Sequence, residues 1–134
     1  MSIKIELPIY MKIGVRKPKV ELIGMNWYRN AHYQTETMVK KYYHQLIISM
    51  LKRPRIKLKG KIKVKYSLYY KNVASDLMNI VSVLDKYLMD ALQEAGVIEN
   101  DNVKHYTNNE IEVIGKDEEN PRLICEIMEV KNGL

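Results

Sequence analysis

Between Asp76 and Ala95 the apolar residues fall on one stripe of a helix. With Asp76 at zero and about 100° per residue, Leu77, Ile80, Val81, Leu84, Leu88, Ala91, Leu92 and Ala95 lie between about 40° and 160°. A helix apolar along one stripe must bury it against another layer. Gly96 stands where a C′ residue would end this helix. The rest of the chain supplies the other layer. Ile3 to Leu7 alternates as a strand does, and so does the long stretch from Lys57 to Tyr70. Asn109–Ile114 and Leu123–Val130 predict two more strands, turned at 115–121. A further helix is predicted over about 36–52, with Thr35 as its N-cap and Lys52-Arg53-Pro54 as its end. Pro8, Gly14, Pro18 and Gly24 predict a long, partly irregular loop over 8–34, and 97–108 a shorter one. The order β-α-β-α-β-β predicts an α+β fold, a small mixed β-sheet with two helices packed on it. No repeat or linker divides the chain, so 1–134 predicts a single domain.

Charge divides the same chain in two. Up to Ser75 there are 17 Lys+Arg against three carboxylates; from Asp76 onward there are five against 13. A basic half ending in a cluster of acids suits a protein that holds a polyanion and brings metal-binding carboxylates to it, as a metal-dependent nuclease must. Apolar runs are short and broken by charge, so no membrane segment is expected. The start, Met-Ser-Ile-Lys-Ile-Glu-Leu, has no signal-peptide pattern, and a cytoplasmic protein is expected. A single cysteine, Cys125, excludes an internal disulfide and a cysteine zinc cluster; its alternation with Leu123 and Ile127 places it in the core. Ten tyrosines and no phenylalanine suit a wet binding surface, and equally AT-rich coding.

Lys57, Lys59, Lys61, Lys63 and Lys65 occupy alternate positions, so on a strand they share one face over roughly 26 Å. They read as a rail for phosphates, or as a solvated strand whose lysines block edge pairing. Asp76 starts the predicted helix at the border of its buried face, beside the azimuths of Asn79, Val83, Lys86 and Asp90. It reads either as a cap that complements the helix dipole or as a ligand. The loop after Gly96 adds Glu99 and Asp101. A few carboxylates with open positions are what Mg²⁺ needs to work on a phosphodiester. His32 beside Arg29 is a candidate phosphate contact or a loop histidine. Glu110, Glu112, Asp117, Glu118 and Glu119 predict a solvated acidic face away from any basic run.

Asp76-Leu-Met-Asn79, Asp90-Ala-Leu, Ala95-Gly96 and Glu99-Asn-Asp101 resemble the RusA family of Holliday junction resolvases. Asn26-Trp-Tyr28-Arg29-Asn-Ala-His32 is similar to that family's early Asn/Tyr/Arg-rich segment, and Ile3–Pro8 to its opening strand. The likeness runs through most of the element order and is specific over about 76–103. The resemblance implies a small α+β homodimer that binds four-way DNA junctions and makes paired, Mg²⁺-dependent nicks, with Mn²⁺ able to substitute, in a bacterial host cell. It implies no small-molecule cofactor. Carried over by position, Asp76 and Asp101 are the metal ligands, Asn79 closes the motif and Lys86 supports the reacting phosphate. Asn26, Tyr28, Arg29 and His32, with the five lysines, would hold the junction arms.

The sequence departs from the family twice. Met78 stands where the family has an aspartate, and a thioether is a poor ligand for Mg²⁺. Glu99 is the expected substitute; Asp85 lies about 10 Å further along the helix. The stretch from Asp76 to Asp90 is also about one turn longer than the family pattern. Three functions follow as expectations: a Mg²⁺-dependent junction-resolving endonuclease, a branched-DNA-binding protein with weakened or lost catalysis, and an unrelated basic protein that binds RNA or a protein partner.

Overall fold

The computed structural model describes residues 2–51, 56–72, 77–99 and 106–130. Its elements are β1 (Ser2–Pro8), β2 (Tyr10–Ile13), β3 (Lys19–Leu22), α1 (Met25–Asn30), α2 (Tyr33–Met50), β4 (Ile62–Tyr70), α3 (Leu77–Glu94), β5 (Tyr106–Lys116) and β6 (Arg122–Glu129). Four strands form a mixed sheet in the order β1-β6-β4-β5. β6 is antiparallel to both β1 and β4, while β4 and β5 run parallel. Parallel neighbours need a crossover between them, and α3 is that crossover. This is the α+β fold that the alternation of elements predicts.

Period-two patterning puts Ile5 and Leu7, Ile62, Val64, Tyr66 and Leu68, and Leu123, Cys125 and Ile127 on one face of the sheet, all buried. The helices cover that face. Gly96 has φ +75°, the left-handed turn that ends α3. Leu58 N–H then donates to the Val97 carbonyl at 2.8 Å, tying the segment before β4 to the C-terminal end of α3.

Four expectations change. The 8–34 stretch is an ordered β2–β3 hairpin followed by α1. Ile9 and Ile23 pin the hairpin's base in the core and are joined by a 2.8 Å backbone bond. α2 starts three residues earlier than expected, because His32 caps it, its Nδ1 accepting from Gln34 N–H at 3.3 Å. β4 begins at Ile62, so Lys57, Lys59 and Lys61 precede the strand. Finally, α3 is buried beyond its stripe, at Val83, Tyr87 and Met89 as well. It packs against α2 and α1 as well as reaching β4, where the Tyr66 hydroxyl donates to Asp85, and Tyr87 stacks on Tyr43 of α2 with centroids 5.6 Å apart.

Candidate functional site

α1 lies against the first turns of α3. The approach is close: a Cβ at Gly24 would stand 3.4 Å from the Asn79 carbonyl oxygen, so a side chain much beyond a methyl would lever α1 away. The two helices and β3 border an open cleft of about 550 Å³, lined by Glu21, Gly24, Asn26, Trp27, Asn30 and Asn79 among others. About two turns further along α3, Lys86 Nζ donates to the Tyr28 hydroxyl at 2.7 Å and sits 5.0 Å from its ring centroid. The 26–32 segment and the 79–86 stretch, some fifty residues apart in sequence, therefore meet. Asn26 and Asn79 line the cleft, and Tyr28 meets Lys86 further along the same pair of helices; Arg29 is exposed at the end of the same short helix. His32 is also exposed, and its cap bond to Gln34 occupies Nδ1.

The Tyr28 hydroxyl holds the Lys86 ammonium above the usual lysine range; partial desolvation opposes this, and Asp90 and Glu36 add to it. The sign follows. A raised lysine pKa stabilises at pH below the ordinary lysine value and is lost as pH rises through the raised one. Tyr28→Phe should therefore bring the Lys86 titration down toward the ordinary range, read from its ε-methylene NMR shifts. A wild-type titration no higher than that of the variant would refute the contact.

The remaining expected residues do not gather here. Leu58 is bonded to Val97, so Lys57, Lys59 and Lys61 stand by the C-terminal end of α3. Glu99 lies past that same end. It is roughly 20 Å along the helix axis from Asn79, at 1.5 Å per residue, so it shares no site with Asn79. Lys63 and Lys65 are on β4 and share a face, as expected, but that face carries acids too. Lys63 pairs with Glu110 and Lys65 with Glu112 at 3.2 Å, both from β5. The basic and acidic halves of the chain thus interleave, and Glu110 and Glu112 are not away from the basic run but beside it. Parallel pairing of β4 with β5 causes this, and periodicity alone gives no sign of which strands become neighbours.

Asp76 and Asp101, the two acids expected to bind metal, lie outside the described residues. Among the described residues no three His, Cys, Asp or Glu side chains gather to hold a metal ion. Next to Asn79, Met78 is 57% exposed and offers only a thioether. A Mg²⁺ ion wants oxygen ligands, so the described part of the motif does not make a metal site by itself. Asp85 is otherwise engaged, accepting a hydrogen bond from the Tyr66 hydroxyl. Cys125 is fully buried, and burial, with Asp85 adding, pushes its thiol well up, so it is an inert core residue.

Sequence patterning passed over Trp27, Asn30 and Glu21 as lining residues. The signal was present in part: Gly24 is an acceptable N-cap, and Asn30 sits four residues after Asn26, whose carbonyl its side chain bonds at 2.8 Å. No helix among the described residues is long and apolar enough to cross a membrane. No protein-family model matches this sequence, and no curated protein is significantly similar to it.

Proposed function

We propose that this chain is a RusA-like, Mg²⁺-dependent endonuclease that resolves four-way DNA junctions, acting as a homodimer. One observation carries the reading. Two segments in which the sequence resembles that family, 26–32 and about 76–103, are far apart in the chain, yet α1 of the first is packed on the α3 part of the second, with Gly24 against Asn79 and Tyr28 against Lys86. Met25, Trp27 and Tyr28 of α1 pack on the core, yet the same helix pair also leaves the polar Asn26, Asn30 and Asn79 lining a cleft and sets the Tyr28 hydroxyl against the Lys86 ammonium. The ammonium supplies charge to a phosphate, and the amides of Asn26 and Asn79 orient its oxygens. In this reading the metal ion is held by Asp76 and Asp101, and when bound supplies charge neutralisation and an activated water. Paired nicks in strands of like polarity call for two sites related by a twofold axis, hence the dimer.

The test is cleavage of a synthetic four-way junction with Mg²⁺, beside a linear duplex of the same sequence. Paired, symmetric nicks in the junction alone are expected. Junction binding without nicks under any Mg²⁺ or Mn²⁺ concentration would remove the enzyme.

A second reading is favoured by Met78, whose exposed thioether stands where the family has a carboxylate: a branched-DNA-binding protein with weakened or lost catalysis. Met78→Asp separates the two. Its exposure makes the substitution structurally mild, and one carboxylate on a metal is worth several kcal/mol. A gain of about 10²-fold or more in junction cleavage favours the weakened enzyme, at about 1.4 kcal/mol per tenfold. No gain favours a chain already competent without it.

A further inference from the structure

The outer side of the β2–β3 hairpin faces the N-terminal half of α2 across a groove of about 580 Å³. Tyr10, Met11 and Val15 contribute from the hairpin, Met38 and Tyr42 from α2. Val15 is 94% exposed, Met38 67% and Tyr42 46%. These exposed apolar side chains line one groove instead of being scattered over the surface. Tyr42 is not loose: Tyr43, fully buried beneath it, meets its ring edge-on at 5.7 Å. The groove lining includes no carboxylate. Its hairpin carries Lys12, Arg16, Lys17 and Lys19, all exposed, and among the described residues only Lys19 of these four has an ion-pair partner, Glu21 at 3.6 Å.

This charge decides the occupant. A second copy docking here would bring one cationic hairpin against another. A neutral apolar peptide would leave the cations unused. We propose that the groove takes the unpaired bases of single-stranded nucleic acid. Bases stack on the Tyr42 ring and against Met38, while the hairpin cations meet the phosphates. The placement suits the neighbouring cleft. Tyr10 and Met11 pair in register with Leu22 and Glu21, and the latter two line the cleft that holds Asn26 and Asn79. The same two rungs of the hairpin thus border both spaces. The inference rests on the nucleic-acid reading above and adds to it the form of the ligand: unpaired bases beside the site.

The test is fluorescence anisotropy of labelled oligothymidylate and of a duplex of equal length, titrated with the full chain. Tyr42→Ala should weaken single-strand binding by about tenfold or more, as loss of one stacking platform does, with duplex binding unchanged. Tyr42→Phe should restore it, and Met38→Glu should weaken it independently. Lys17→Gln should lower the slope of log affinity against log salt by about 0.7. Equal single-strand affinity for wild type and Tyr42→Ala overturns the groove and leaves the junction reading standing. So does binding of junctions or duplex without single strands. Failure to bind any nucleic acid sinks both. A wild-type dimer in sedimentation that Met38→Glu dissociates makes the groove a contact between copies, and the proposal fails.

Discussion

Tyr43→Ala should lower the stability of the fold by about 3–5 kcal/mol, seen as a fall of roughly 10–20 °C in the melting midpoint followed by circular dichroism. Tyr43 is fully buried in α2 and ties three elements together. Its ring stacks on Tyr87 of α3 with an interplanar angle of 26°, and its hydroxyl donates to the Pro8 carbonyl of β1 at 2.6 Å. Burial pushes the phenol far above its usual range, so it stays neutral wherever the fold survives. Truncation to alanine removes the ring and leaves a cavity under both helices. Tyr43→Phe keeps the ring and removes only the hydrogen bond, worth about 1 kcal/mol. If the alanine variant melted no earlier than the phenylalanine one, the ring would not be the link between α2 and α3. Far-UV signal retained at low temperature in both variants shows that the loss is in stability and not in folding itself.

The same residue marks where the sequence could be read and where it could not. The stripe on 76–95 predicts that α3 lies on a sheet, and Ile80, Leu84, Leu88 and Leu92 are buried as that requires. It does not predict that Val83 and Tyr87 are buried too, because a second helix covers them, and a helical projection says how many residues are apolar, not how many partners they meet. The hairpin over 10–22 was obscured by its own turn residues: Gly14 and Pro18 look like loop punctuation, and only four residues remain on each side to alternate. Its stability comes from Ile9 and Ile23, buried just outside those strands, which is tertiary anchoring and not local propensity. The lysine run was legible as a pattern but not as a surface. Two of its five members lie on the strand and meet glutamates of β5; the other three precede it. For the candidate site, sequence resemblance named Asn26, Tyr28, Asn79 and Lys86 without any ground for joining them. The join is made at a residue with no functional look, Gly24, which packs on the Asn79 backbone with room for a methyl and little more.

Asp76→Asn and Asp101→Asn should each abolish junction cleavage, by about 10³-fold or more, while leaving junction binding as tight as before or tighter. The size follows from the several kcal/mol that metal coordination supplies to a developing phosphate charge, at about 1.4 kcal/mol per tenfold. The direction of the binding change follows from Coulomb repulsion: each substitution leaves one negative charge fewer facing the phosphates. Amide replacements preserve shape, so binding and cleavage separate cleanly. Asp85→Asn is the internal comparison, since this aspartate lies on α3 and accepts from the Tyr66 hydroxyl. Its loss should appear in thermal stability, by about 1–2 kcal/mol, and not in the nicking rate. Lys86→Met falls between, because its ammonium is exposed and screened, and should weaken binding and cleavage together. An Asp101→Asn protein that cuts like wild type would take Asp101 out of the site. If Asp76→Asn also cut like wild type, the cleavage would come from another set of residues. If wild type itself does not cut, equal binding by all four variants would point to a protein that holds junctions through α1 and the hairpin and leaves the scissile phosphate untouched.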